Sequence, residues 1–172
     1  MRAIGKGSLS SILAVGLHVT RFILWIMFIG LSIAMVLTPF VTLLVGVAER
    51  VSDINIDADI TADAGDYIEF AHHFVTVAVM LFVVNRLLEI LKTLRFGSPF
   101  VKENADRFRG VGYALLIGEG AKFAFGFMSL LVDTDAEINS SPITWLSIIA
   151  VFVLAEVFRE GARMKEEQDL TV

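Results

Sequence analysis

The sequence contains no cysteine and only three prolines among its 172 residues. Without cysteine, the chain forms no disulfide framework and no zinc–thiolate site, and it offers no thiol nucleophile. A phosphate-binding loop, a nucleophile elbow and the HExxH metal motif are also absent. These absences predict a protein that is not an enzyme and that binds no cofactor and no metal through a known motif.

Charge is scarce as well, at 19% of residues, whereas 56% are hydrophobic and the mean hydropathy is +0.74. This apolar share exceeds that of ordinary soluble domains, so the bilayer is the expected solvent. A helix needs about 20 apolar residues to cross it. Four runs of suitable length predict an all-α, polytopic membrane protein, one domain over 1–172 with four antiparallel helices in a bundle. The predicted spans are about 22–47, 70–94, 110–132 and 142–158.

The first span carries two further expectations. Pro39 lies inside it and is predicted to kink the helix. A stripe of apolar residues from Leu9 to Leu17 precedes it. This stripe fits either a segment lying on the membrane surface or an extension of one long, tilted helix.

The cations are distributed unevenly along the chain. Of the 14 Lys and Arg, three precede Phe22, six lie between Arg86 and Arg109, and three follow Leu154. The positive-inside rule therefore predicts that both termini, the loop 95–109 and the tail 159–172 are cytoplasmic. The acidic loop 48–69 is predicted to face outward.

The acidic loop has a pattern of its own. Polar and apolar residues alternate from Asp53 to Thr61, which predicts a strand, with a hairpin return near Ala64-Gly65-Asp66 as its available partner. His72 and His73 follow the loop. With its carboxylates they suit a divalent-cation site or a pH sensor, or else they are ordinary interfacial residues. The carboxylates lack EF-hand spacing, which favours the interfacial interpretation.

The connection between the second and third spans contains the strongest helix-end and helix-start signals of the chain. Gly97 suits the position after a helix end, Ser98 an N-cap, and Pro99 the first helical residue. These signals predict a short cytoplasmic helix over 98–109, lying on the inner leaflet. Its apolar stripe would consist of Val101, Ala105 and Phe108, and its charged stripe of Lys102, Asp106 and Arg109.

Glu119 and Lys122 are the polar pair of the third span. A charged group at the centre of a membrane helix costs about 2.5–3.5 kcal/mol on an insertion scale, so each must be compensated. One interpretation is an ion, proton or ligand site. The other is structural: an i,i+3 ion pair, or pairing with Asn85, Arg86 or Glu156 on neighbouring helices.

Small residues recur on one face of the same span, at Gly110, Ala114 and Gly118. Such a face lets two helix backbones approach closely in lipid. It serves either packing inside one bundle or a homo-oligomer of two copies.

Two motifs carry a resemblance to a known family. The first is Gly97-x-Pro99-Phe100-x-x-x-Asn104 after the second span. The second is the tail Glu156-Val-Phe158-Arg-Glu-Gly161, followed by Glu167-Gln168-Asp169. Together they resemble the signatures of the domain of unknown function 2975 family, whose members are bacterial four-span membrane proteins.

The resemblance implies a membrane-bound regulator or sensor, because members of this family are often encoded beside a small helix-turn-helix regulator. Such a DNA-binding protein would be the cytoplasmic partner, docked on the motif residues. Asn104 is expected to cap the linker or tie it to the fourth helix. The basic clusters adjoin spans, which predicts contact with the lipid bilayer and no direct nucleic-acid binding. The alternatives are a small transporter or channel using Glu119 and Lys122, and an accessory subunit of a larger membrane complex.

Overall fold

The structure, a computed structural model, describes residues 9–52, 63–96, 99–132 and 140–170. They form four helices, and each is long and apolar enough to cross a membrane. The predicted four-helix, all-α architecture is confirmed, and the described part of the chain contains no strand. The helices are α1 (Leu9–Ser52), α2 (Ala64–Phe96), α3 (Lys102–Leu131) and α4 (Pro142–Asp169).

Helix α1 is continuous from Leu9, so the apolar stripe before the first span belongs to it and forms no separate surface helix. Its 44 residues extend about 66 Å at 1.5 Å per residue, twice the thickness of a hydrocarbon core. The helix continues through Pro39. On either side of that proline, the hydroxyls of Thr38 and Thr42 donate to carbonyls four residues earlier, at 2.8 and 3.0 Å. These polar groups are therefore satisfied inside an apolar helix.

Helix α2 begins with a reciprocal cap. The backbone N–H of Asp66 donates to Asp63 Oδ1 at 2.9 Å, and the N–H of Asp63 donates to Asp66 Oδ2 at 3.0 Å. This is the geometry of a capping box. The predicted hairpin return at Ala64-Gly65-Asp66 is therefore wrong, because these residues form the first turn of α2. The predicted strand Asp53–Thr61 lies outside the described residues.

Each helix packs against its neighbour in the chain. In the described ranges α1 contacts α2, α2 contacts α3 and α3 contacts α4, and the backbone of α1 approaches neither α3 nor α4. The bundle is therefore open, with α1 on one side and α4 on the other. A cluster of Leu24, Val77, Leu81 and Val84 joins α1 to α2, and Ile90, Phe108 and Ala155 join the next three helices.

This antiparallel order gathers the start of α1, the end of α2, the start of α3 and the end of α4 at one end of the molecule. Glu89 reaches Arg107 across α2 and α3 at this end, and Phe100 meets Gly161 of α4 there. Most of the cations of the chain also lie in these segments. We call this end of the molecule the basic end.

The small residues of α3 face α2. A Cβ built on Gly118 would lie 3.4 Å from Val79, and one on Gly110 would lie 3.8 Å from the Phe82 ring. The predicted small-residue face therefore serves packing inside the chain at these two positions, and its use between two copies stays a prediction. Gly112 serves the opposite side of α3, where a Cβ would come within 2.8 Å of Phe152 on α4.

Candidate functional site

Asn104 is the centre of a polar cluster at the basic end. It is the one completely buried large side chain of the described residues, with 0% exposure. Its Nδ2 donates to the carbonyl of Pro99 at 2.9 Å, and its Oδ1 accepts from Nη1 of Arg107 at 2.8 Å. The Thr93 hydroxyl lies 2.9 Å from the same Oδ1 and 2.7 Å from the Ile90 carbonyl, so its one hydrogen serves one of the two at a time.

Asn104 thus connects α2, the loop and α3. The expectation that it ties the linker to the fourth helix is wrong, because its partners are Thr93, Pro99 and Arg107. A buried amide that both donates and accepts is strongly position-specific, since an apolar replacement leaves its buried partners unsatisfied.

The fourth helix is joined to the loop by Phe100 instead. A Cβ built on Gly161 would overlap the Phe100 ring, with 2.8 Å to its Cε1. Phe158, one turn earlier on α4, lies between two rings, with centroids 5.6 Å from Phe100 and 4.9 Å from Phe108. Gly161 is therefore needed for close approach. We call the set Thr93, Pro99, Phe100, Asn104, Phe158 and Gly161 the hinge cluster.

These contacts change where α3 begins. Its first residue is Lys102, and Val101 occupies the N-cap position in extended conformation without a side-chain cap. Pro99 is therefore not the first helical residue, and Gly97 and Ser98 lie outside the described residues. The physical reason is tertiary: the Pro99 carbonyl accepts from Asn104, and Phe100 must reach Gly161, which an immediate helix would prevent.

The predicted short helix over 98–109 is likewise not seen as a separate element, because Lys102–Leu131 is continuous. Its apolar stripe packs inside the protein: Ala105 and Phe108 are buried, and Val101 is half-buried. Its charged stripe of Lys102, Asp106 and Arg109 is exposed as expected. The stripe periodicity was correct, but the protein interior covers the apolar side.

An ion-pair network extends from the hinge cluster along α2. Oε2 of Glu89 accepts from Nη1 of Arg86 at 2.9 Å and from Nε of Arg107 at 3.2 Å. Arg107 therefore links Asn104 to Glu89. The sequence did not single out Thr93 or the Glu89–Arg107 pair. The contacts of Thr93 with Asn104 and of Glu89 with Arg107 join different helices, so no local spacing predicts them.

The second polar cluster lies farther along α3. Nζ of Lys122 donates to Oε1 of Glu119 at 2.8 Å, and the Glu119 side chain is only 3% exposed. Ser140 donates to the other carboxylate oxygen at 3.4 Å and accepts from Nε1 of Trp145 at 2.9 Å. We call Glu119, Lys122, Ser140 and Trp145 the Glu119 cluster. The observed geometry is the i,i+3 ion pair, and not pairing with Asn85, Arg86 or Glu156.

Ser140 lies two residues before α4 and reaches Glu119, so α4 begins level with the middle of α3. Helix α3 continues for about three turns beyond this level. The Glu119 carboxylate is therefore covered near the start of α4, which favours a structural role over a transport path.

The two histidines lie near this level on α2. The rings of His72 and His73 stack at 5.6 Å, and His73 lies 3.4 Å from Glu69. Nε2 of His72 is buried without a hydrogen-bond partner in the described ranges. Three of the acidic residues proposed to join them in a cation site, Asp53, Asp57 and Asp59, lie outside the described residues.

One family model, described as Protein of unknown function (DUF2975), matches residues 67–172, which is more than half of the chain. The chain belongs to the DUF2975 family. The matched range contains both the hinge cluster and the Glu119 cluster. Helix α1 precedes the matched range. No curated protein and no solved structure matches the chain. Membership in the DUF2975 family assigns no activity to the chain.

The remaining motif residues differ in exposure. Glu167 and Gln168 are exposed on the last turns of α4, and the side chain of Asp169 lies outside the described residues. Oε1 of Glu167 lies 3.4 Å from Nε of Arg163, an i,i+4 ion pair on the surface of α4. The motif therefore has two parts, a packed hinge cluster in which Asn104 and Gly161 are buried, and an exposed tail.

Proposed function

We propose that this DUF2975 protein is a membrane-bound regulator without catalytic activity, which holds a small helix-turn-helix regulator at the bacterial inner membrane. The class of partner rests on the family resemblance. The position of the docking surface rests on the fold. In this proposal the basic end faces the cytoplasm, in agreement with the positive-inside rule.

The observation that carries the proposal is the contact between Phe100 and Gly161. It places the start of α3 beside the end of α4, although the two segments are far apart in sequence. The two segments that carry the family motifs, the start of α3 and the end of α4, therefore lie side by side. Its exposed members include Lys102, Asp106 and Arg109 of α3 and Arg163 and Lys165 of α4.

The end of α4 also offers apolar anchors. Ala162 is buried, but Met164 is 54% exposed and Leu170 is 88% exposed. Between them lie Glu166, Glu167 and Gln168, all exposed. Methionine and arginine within a polar surround are typical of protein–protein interfaces. This surface is chemically suited to a protein partner.

The buried motif residues have a different role in this proposal. Asn104 and Gly161 are inaccessible to a partner, so they position the surface and do not contact the regulator. The recognition residues are the exposed neighbours, in particular Arg163, Met164 and Leu170.

The test is recovery of the partner from native membranes with the tagged, full-length protein. We expect wild-type protein to co-purify a small helix-turn-helix protein, identified by mass spectrometry. Met164→Glu combined with Leu170→Glu should reduce its recovery about tenfold or more, because each removes an apolar anchor of the interface.

Val51→Glu is the matched control, since Val51 is 79% exposed and ends α1 at the opposite end of the molecule. It should leave recovery unchanged. Recovery of no helix-turn-helix protein, or equal recovery with the α4 variant, would contradict the proposal.

The transport alternative has weaker support, because Lys122 contacts Glu119 directly and Ser140 covers the carboxylate. The accessory-subunit alternative would be supported if the same purification recovered a larger membrane complex in place of a regulator.

A further inference from the structure

A groove between α1 and α2 lies at the basic end and takes no part in the proposed partner surface. It encloses about 670 Å³, within the usual size range of small-ligand sites. It lies alongside the apolar contact between the two helices, to which Leu17 and Leu88 belong. Its polar lining comprises His18, Arg21, Asn85, Arg86, Lys92 and Arg95, with one acid, Glu89.

The lining residues recur with helical spacing on two facing helices. On α1 they are Ala14, His18 and Arg21, and on α2 they include Asn85, Lys92 and Arg95. Positions separated by three, four or seven residues share one helix face. The groove is thus a built feature of two continuous helices and needs no loop to form it.

The groove carries an excess of positive charge. Four of its side chains are cations, and the carboxylate of Glu89 is already engaged by Arg86 at 2.9 Å and Arg107 at 3.2 Å. Arg21 and Lys92 are exposed, and the described ranges place no carboxylate within ion-pair distance of either. An anion entering the groove would therefore meet uncompensated charge.

The other walls are apolar. Phe82, Leu88 and Leu91 line the groove, and along the same face of α1 Phe22, Trp25 and Ile29 are 44–67% exposed. A ligand with a charged phosphate and hydrocarbon chains matches both parts. A free phosphate matches only the first. Basic pockets between membrane helices are known sites for lipid headgroups.

We propose that this groove binds the phosphate of an anionic phospholipid, with Arg21 and Lys92 as its charge contacts and Asn85 as a hydrogen-bond donor. The acyl chains lie along the exposed apolar face of α1. The inference is independent of any protein partner.

The experiment uses the full-length protein in detergent, with binding of phosphatidylglycerol followed by native mass spectrometry. We expect phosphatidylglycerol to bind at least about tenfold more tightly than phosphatidylcholine, because basic residues contribute about 1 kcal/mol each toward anionic lipid. Arg21→Gln combined with Lys92→Gln should remove this preference. Arg21→Lys combined with Lys92→Arg should keep it.

The matched control is Lys102→Gln combined with Arg109→Gln, which removes the same charge from exposed positions of α3 outside the groove. It should change the affinity less than twofold. Equal losses in both double variants would overturn the proposal, since the basic end would then attract lipid without a site. Competition by inorganic phosphate at equal concentration would also overturn it, in favour of a free-phosphate site.

Discussion

Helix α3 carries two buried polar clusters that are satisfied to different degrees. In the hinge cluster, Asn104 is wholly buried and uses donor and acceptor with partners at 2.8–2.9 Å. In the Glu119 cluster, the carboxylate has one close partner, Lys122 at 2.8 Å, and a hydroxyl at 3.4 Å. Several neutral and charged contacts stabilise the hinge cluster, whereas one ion pair is the main contact of the Glu119 cluster.

The different numbers of close partners predict how each cluster responds to substitution. Removing one partner of a buried ion pair leaves a whole charge uncompensated, which costs more than an unsatisfied amide. The Glu119 cluster should therefore be the more sensitive of the two, and its two members should not be equivalent.

The largest effect is expected for Lys122→Met. It leaves the Glu119 carboxylate, 3% exposed, without its cation, so we expect a loss of about 3 kcal/mol in the free energy of unfolding. Glu119→Gln should cost only about 1 kcal/mol, because Lys122 is one-third exposed and can reorient. Unfolding by SDS in mixed micelles, followed by Trp145 fluorescence in a Trp25→Phe background, measures both.

The control for this pair is the double variant Glu119→Gln/Lys122→Met, which removes both charges. It should recover most of the stability that Lys122→Met loses. Equal losses in the two single variants would show that exposure of Lys122 does not decide the asymmetry.

The next largest effect is expected for Asn104→Ala. It leaves the Pro99 carbonyl and the Arg107 guanidinium without their buried partner, so we expect a loss of about 2 kcal/mol. Hydrogen exchange at residues 99–104 should also increase, because the loop loses its anchor. The same unfolding assay and exchange mass spectrometry measure these changes.

Asn85→Ala is the matched control, since Asn85 is half-buried and has no side-chain hydrogen bond to the described residues. It should change the free energy of unfolding by less than about 0.5 kcal/mol. A comparable loss in both variants would mean that burial of an amide, and not its hydrogen bonds, sets the cost.

A smaller effect than that of Asn104→Ala is expected for Gly161→Ala. The new Cβ displaces the Phe100 ring, so we expect a loss of about 1–2 kcal/mol from overpacking. In a Phe100→Ala background the same substitution should cost nothing, since the overlapping ring is gone. This double-mutant cycle isolates the contact.

Gly120→Ala is the control, because a Cβ at that position meets no atom within 4 Å. It should leave stability unchanged or raise it slightly through helix propensity. A loss from Gly161→Ala that persists without Phe100 would place the constraint elsewhere on α4.

Two Ser-Pro pairs show how far local signals reach. At Ser141-Pro142 the helix begins as the pair predicts, with Ser141 Oγ accepting from the N–H of Ile143 at 3.3 Å. At Ser98-Pro99 the same signal predicts a helix start that does not occur, because α3 begins at Lys102. The local preference is similar, so the contacts of Pro99 with Asn104 and of Phe100 with Gly161 decide the outcome.

The candidate sites divide in the same way. The Glu119–Lys122 pair was predictable, because i,i+3 spacing on a helix brings the two side chains together. The contact between Thr93 and Asn104 was not, because it forms only through the packing of α2 on α3. Arg107 has i,i+3 spacing to Asn104 on α3, but its link to Glu89 depends on the same packing. The family motif includes Asn104 and Gly161 without indicating that these two are buried.

The sequence by itself determined the four helices. A long apolar run in a bilayer has no water to bond its backbone N–H and C=O groups. The helix satisfies these groups internally. Packing between helices sets three further features: the bundle is open, Asn104 and Gly161 of the motif are buried, and α4 starts beside the middle of α3. These features depend on side chains from separate helices, such as Phe100 on Gly161 and Ser140 on Glu119, whose meeting no local pattern encodes.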